Sequence, residues 1–405
     1  MKNFSIQALV AGLAVVGLLG SCQSDHLIDA AKIPETNTEP TSATVVGHVF
    51  EPALVAATDE RIAQLKVPAG FAIAKFADDL NKPRMLAVSS SGNVYVSSRA
   101  AGTVTLLQDT NGDGRVDAKR TVATIKDVHG LTIHAGKLYM VAIHELFVAD
   151  IAADGSLGQP QQLIDDLPDA GQHPNRTIAF GPDDKLYITV GSTCNACMDP
   201  NPENATVLRA NADGTGRTIF AKGLRNTIGF GWHPETKELY GFDHGIDWLG
   251  DEDQREELNI IKEGAFYGWP YIYADGKYNP HPRPEGMTYA EVLAKTTLPV
   301  LLYQAHAAPL GMIFYTGSLF PADYKNDAFA TMRGSWNRDQ PSGYSVVRVH
   351  FENNKPARVE DFVTGFLVND NQAQFGRPVG IATLPDGSMI FTDDNNGVIY
   401  RVSRK

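Results

Sequence analysis

The sequence predicts an all-β fold, a six-bladed β-propeller with four-stranded antiparallel blades. Three observations predict it. One hairpin phrase recurs along the chain, glycine is abundant at 37 of 405 residues, and beyond residue 67 almost nothing carries the period of a long amphipathic helix. The phrase is an apolar strand, a turn with Gly, Asp or Pro, and a second apolar strand containing an aromatic. Its copies run 86–96, 131–141, 178–188, 230–240, 319–330 (the weakest) and 381–391. Such turns specify hairpins because Gly and Asp accept the backbone angles that a tight reversal needs. Copies roughly 45 to 60 residues apart, with longer insertions, are the signature of blades. Length alone suggests two or three domains, and a pair of β-sandwiches is the competing architecture. Six similar hairpins favour one ring, whose closure hides strand edges. The first strand after the lead-in, 71–76, is placed to pair with the last, 398–402, and seal it.

Taken in order, the chain opens on a basic Lys2, an apolar run from Ala8 to Leu19, and Leu19-Gly20-Ser21-Cys22. This pattern is an export signal over 1–21, too short for a comfortable membrane span. The four residues ending at Cys22 resemble a bacterial lipoprotein signal, which implies lipidation of Cys22 and anchorage to the cell envelope. Residues 22–60, rich in Thr, Ala, Pro and Glu, read as a flexible tether with a short lead-in to the domain. The propeller is assigned to 61–405. A net charge of −12 argues against a nucleic-acid-binding surface. Three Cys are too few for a disulfide scaffold. With Cys22 lipidated, Cys194 and Cys197 remain as a CxxC pair. Redox and zinc alternatives lack a βα context or a second ligand pair, so a bridge pinning a long loop is the reading adopted.

Polar residues that break the hairpin pattern gather around the repeats. They include His129, His173 with Arg176, Arg225-Asn226, His306, and Arg333 through Trp336-Asn337-Arg338. Arg377 and the Asp243–Asp253 loop complete the set. Convergent Arg residues suit a ligand with several carboxylates. Trp offers a flat face, His a base near neutral pH, and a Gly/Asp-rich loop oxygen ligands for Ca²⁺. Separately, Asp109, Asn111, Asp113 and Asp117 match the start of an EF-hand-type loop, although Arg120 stands where its bidentate Glu belongs. A second Ca²⁺ site and a polar hairpin turn stand as equal alternatives there.

These residues resemble the soluble PQQ-dependent sugar dehydrogenases, which include soluble glucose, aldose sugar and L-sorbosone/pyranose dehydrogenase-like proteins. The likeness runs from about residue 67 to the C-terminus. It is carried by Gly191-Ser192-Thr193-Cys194-x-x-Cys197, Gly268-Trp269-Pro270, Gly334-Ser335-Trp336-Asn337-Arg338 and Gly376-Arg377-Pro378-Val379-Gly380. The resemblance implies pyrroloquinoline quinone (PQQ) and Ca²⁺ as cofactors. It places His173 as catalytic base and Arg225 as partner of the developing charge. His129, Arg176, Arg225, Asn226, His306, Arg333, Trp336 and Arg377 become cofactor contacts. The backbone of Gly245 and Ile246 holds the PQQ-linked Ca²⁺. The implied reaction is oxidation of an aldose at C1 to its lactone. Electrons leave to an external acceptor, a cytochrome or a quinone, since Met198 rather than His follows Cys197. Around Arg377 the chain departs from the pattern: Phe375 or Gly376 stands in place of a second basic residue. Two rival functions are a Ca²⁺-dependent propeller lactonase and a non-catalytic surface propeller lipoprotein.

Overall fold

The strands richest in apolar and aromatic residues are buried on both faces. Val94–Ser98, Leu186–Val190, Leu239–Asp243, Ala328–Met332 and Met389–Asp393 are each buried at every position. Each is the second strand of a four-stranded sheet. The computed structural model that shows this describes residues 47–169 and 171–405. The stretch 1–21 expected as an export signal, and Cys22, lie outside the described residues.

Among the described residues there are six four-stranded sheets. The first four begin on Leu86–Val88, Gly130–His134, Ile178–Phe180 and Phe230–Trp232. The last two begin on Pro309–Phe314 and Pro378–Thr383. All pairings within them are antiparallel. The sixth sheet takes its outer strand from the other end of the domain: Phe71–Ala77 pairs with Val398–Arg404, as the sequence predicts.

The core is divided among the gaps between sheets. Tyr95 and Leu106 of the first sheet meet Leu138 and Met140 of the second. Tyr139 and Val141 then meet Leu186 and Ile188. Tyr187 and Val207 meet Phe230 and Leu239, and Tyr240 and Phe242 meet Ala330 and Val347. Phe329 and Val346 meet Phe391 and Tyr400. Ile390 and Ile399 of the sixth sheet pack on Leu86 and Val94 of the first, so the series returns to its start. No sheet buries both its faces alone, so each is stabilised by two neighbours.

The first strands approach one another closely around the centre. A Cβ at Gly380 would lie 2.2 Å from the Arg84 carbonyl oxygen, and one at Gly311 would lie 2.4 Å from that of Val379. Only glycine fits where two backbones run this near. At one end of these strands a cavity of about 720 Å³ is lined from all six sheets, by Leu86, Ile133, Phe180, Trp232, Phe314 and Ile381 among others.

Two expectations are corrected. The fifth hairpin begins on Pro309–Phe314, whereas Leu319 and Phe320 lie in the loop before the short 3₁₀ turn Ala322–Tyr324. The end of the stretch expected as tether is ordered. Ala53–Leu54 adds in parallel to Ala373–Gln374, and Thr58 caps a short helix, Asp59–Ile62, whose Ile62 is buried.

Candidate active site

At the other end of the first strands, the segments leading into each sheet carry most of the polar residues singled out above. Arg84 Nε donates to His129 Nε2 at 3.3 Å, and His129 Nδ1 donates to the Arg176 carbonyl at 2.8 Å. Arg176 Nη1 donates to the His173 carbonyl at 3.3 Å. His173 Nδ1 lies 2.6 Å from the Ser192 carbonyl, and Ser192 N donates to the Arg225 carbonyl at 2.7 Å. Arg225 N and Asn226 N both donate to Asp243, at 2.8 Å each. His244 Nε2 bonds the Pro309 carbonyl, and Arg333 N bonds that of Ala308 at 2.9 Å. Asp394 then accepts from Arg333 Nε at 3.0 Å and from Arg84 Nη1 at 2.5 Å, closing the circuit.

The sheets thus bring His129, His173, Arg225, Asn226 and Arg333 to one end. Arg377 belongs there too: it donates to the Arg333 and Gly334 carbonyls and pairs with Glu51 at 2.8 Å. Arg176 is fully buried, and its Nε, Nη1 and Nη2 all bond main-chain carbonyls, so its geometry is that of a clamp. His306 donates from Nε2 to the Gly250 carbonyl at 2.7 Å and accepts from Asn337 at 3.2 Å, which fixes the loop after Gly245. Trp336 is 37% exposed.

Protonation follows from these partners. A carbonyl only accepts, so His173 Nδ1 carries the proton and Nε2 keeps the lone pair that a general base needs. Burial first, and the nearby Arg225 charge second, hold His173 well below its ordinary pKa of 6.5. His244 is pushed down to about 4, mainly by burial. Both rings are therefore neutral near pH 7. Arg225 is 3% exposed, held by the Asn195 oxygens and seated 5.6 Å from the Trp269 ring centroid.

Behind this surface, burial raises four carboxyl groups: Asp243 to about 6, Asp393 to about 7, and Glu256 and Glu257 to about 8. Glu256 accepts from Gly245 N at 3.2 Å and from Ala308 N at 2.9 Å. Its folded pKa lies above its ordinary value of 4.5, so between about 4.5 and 8 the folded state binds the extra proton. Stability contributed by the neutral form is then lost as pH rises through that window. Below about pH 6.5 the buried histidines oppose this trend, so the thermal midpoint of the apoprotein in EDTA is expected to fall between about pH 6.5 and pH 8, and Glu256→Gln to reduce the slope. A flat profile, or a slope untouched by that substitution, would overturn this assignment.

The oxygen-rich positions divide. Gly245 and Ile246 have their N–H groups on Glu256 and Gln254, and their carbonyls accept no hydrogen bond among the described residues. In the 109–117 loop the acids are turned inward. Asp109 caps Gly112 N and Gly114 N, and Asp117 takes Thr110 N and Asn111 N. Asn111 caps Asp113 N, and Asp113 caps Arg115 N. These bonds give the loop its tight turns. Cys194 and Cys197 form the expected disulfide. Among the described residues no group of three or more His, Cys, Asp and Glu is arranged to hold a metal.

Arg84 and Asp394 were missed in the sequence. Arg84 precedes the first hairpin much as His129 precedes the second, and that shared position was the available signal. His244 stood inside a stretch singled out for its composition, without a role of its own.

The donor set tests well against an anionic quinone. The Asn226 side chain makes no hydrogen bond among the described residues, so its amide N–H groups are available as donors to a quinone or carboxylate oxygen. Arg84, Arg333 and Arg377 share Asp394 and Glu51 as the acids paired with their side chains. Three guanidinium groups therefore share two acids, an arrangement that suits a polycarboxylate.

Residues 65–405 match the family described as TrAA12-like. An uncharacterized protein of Borreliella burgdorferi is 32% identical over 86% of this chain and 93% of its own length. A Hypocrea jecorina protein named as a pyrroloquinoline quinone-dependent sugar dehydrogenase is 23% identical over 79% of this chain and 85% of its own. Among solved structures, the calcium structure of a Trichoderma reesei enzyme of carbohydrate-active family AA12 superposes with TM-score 0.75. It has 21% identity and covers 88% of this chain and all of the other. The holo PQQ domain of Coprinopsis cinerea pyranose dehydrogenase gives TM-score 0.73 at 19% identity, with the same coverage of both chains.

Proposed function

The chain belongs to the TrAA12-like family, and from that premise we propose that it is a PQQ- and Ca²⁺-dependent sugar dehydrogenase. It oxidises an aldose or pyranose at C1 to the lactone and passes electrons to a separate acceptor. The observation that carries this is His173: a neutral imidazole with Nδ1 pinned on a carbonyl, Nε2 free to accept a proton, and Arg225 close enough to depress its pKa. When bound, PQQ supplies a quinone that accepts two electrons with the sugar's C1 hydrogen, and Ca²⁺ supplies Lewis-acid polarisation. His173 Nε2 takes the hydroxyl proton of the sugar. Arg225, buried and rigidly held, stabilises negative charge at the reacting centre. Arg333 and Asn226 would hold the quinone's polar edge, and the Gly245 and Ile246 carbonyls the metal.

We read the six sheets as blades of one closed propeller, supported by the six successive core clusters and the pairing of 71–77 with 398–404. We read the N-terminus as an export signal with Cys22 lipidated, which would hold the enzyme on the cell envelope; the sequence pattern supports this.

The test is reconstitution. Purified protein is loaded with PQQ and Ca²⁺, and dye reduction is followed with a panel of aldoses. Quinone absorbance that is bleached by sugar is the expected result. A protein that takes up no PQQ would remove the proposal.

A further inference from the structure

The chemistry above makes no use of the disulfide, yet the loop that it closes touches one group which that chemistry requires, Arg225, and reaches the other, His173, through Ser192. Ser192, two residues before Cys194, receives His173 Nδ1 on its carbonyl, while its hydroxyl donates to the Cys194 carbonyl at 2.6 Å. Asn195, inside the bridge, accepts twice from one guanidinium: its carbonyl from Arg225 Nε at 2.9 Å, and its side-chain oxygen from Arg225 Nη2 at 2.6 Å. That same side-chain oxygen accepts from Asp247 N at 3.1 Å, in the loop that carries Gly245 and Ile246. Arg225 therefore lies between the Asn195 oxygens and the Trp269 ring.

A backbone carbonyl can face Arg225 only while the turn around it keeps its shape. Four residues closed by one S–S bond keep that shape with little help from the rest of the fold. A loop so short constrains the unfolded chain less than a long one does. Its effect should therefore fall on local geometry more than on global stability.

We propose that the Cys194–Cys197 loop is a positioning element of the active site. It acts through Asn195, which sets the Arg225 guanidinium and ties it to the Gly245–Asp247 loop. This rests on the proposed function.

The full protein, loaded with PQQ and Ca²⁺, is compared with Asn195→Ala, Asn195→Asp and the double variant Cys194→Ser/Cys197→Ser. Misplacing an anchored charge by about 1 Å can cost about 10²-fold in rate. Asn195→Ala and the double variant are expected to lose about 10- to 10²-fold in kcat at saturating PQQ. PQQ affinity, read by quenching of Trp fluorescence, is expected to weaken about tenfold. Sugar KM and the melting midpoint should move little. Asn195→Asp keeps both oxygen acceptors and should recover most of the loss in kcat and affinity. An Asn195→Ala protein with wild-type kcat and PQQ affinity sinks the proposal, and so does an Asn195→Asp protein as impaired as Asn195→Ala. A wild-type protein that binds no PQQ sinks the proposed function and this inference with it. Wild-type turnover with an unimpaired Asn195→Ala protein sinks this inference alone.

Discussion

Replacing His173 with alanine is expected to lower sugar-dependent turnover by about 10²–10⁴-fold, the range that a positioned base supplies. PQQ should stay bound, because the Arg side chains do not depend on the imidazole for their positions. Arg225 is fixed by Asn195, and Arg333 by Asp394. The pH profile gives a second readout. Burial and the Arg225 charge hold His173 well below 6.5, so the imidazole stays neutral and basic into mildly acid solution. The acid limb of kcat/KM should therefore lie below 6.5, and Arg225→Leu should move it upward by removing a charge that opposes protonation. His244, also buried and also near Arg225, is the alternative base. Its Nε2 is spent on the Pro309 carbonyl, leaving only Nδ1 with a lone pair. Unchanged turnover in His173→Ala with PQQ and Ca²⁺ in excess, alongside a dead His244→Ala, would transfer the role.

Much of this architecture was legible in the sequence because the hairpin turns are local. Gly92, Gly136 and Gly387 all have positive φ at turns that join a first strand to a second. The fifth hairpin escaped because its two strands, Pro309–Phe314 and Ala328–Met332, are joined by a long loop whose own apolar residues, Leu319 and Phe320, imitate a strand. Candidate site residues were legible as types and positions, since His129, Arg225 and Arg377 each precede a first strand. Their partners were not. Asp394 meets Arg84 across 310 positions because the sixth sheet packs on the first, and no local pattern encodes that. Asn195 stood in plain view inside the CxxC, but its use depends on a guanidinium 30 residues away. The ordering of 53–62 was hidden for a related reason. Its strand is two residues long and gains its partner, Ala373–Gln374, from the far end of the chain.

Asp394 carries the largest expected effect on stability. Its carboxylate is 7% exposed and serves two guanidinium groups, Arg84 at 11% and Arg333 at 27% exposure. Removing one member of a buried ion cluster leaves the others charged and poorly solvated, at about 3–5 kcal/mol. The half-open position of Arg333 places Asp394→Asn toward about 3 kcal/mol. The exposed pair Lys137–Asp150 supplies the contrast: Asp150→Asn should leave the midpoint almost unchanged. Urea midpoints of the apoproteins measure both. The ligand arm then separates a fold clamp from a ligand site. Arginines that have lost Asp394 lack an anion, and a bound tricarboxylate would restore one. Saturating PQQ with Ca²⁺ should thus raise the midpoint of Asp394→Asn by more than it raises that of the wild type, since relieving an uncompensated charge adds to ordinary binding linkage. Equal shifts would mean that the Arg84–Asp394–Arg333 cluster serves the fold alone, and the anionic ligand would then have to be held elsewhere on this face.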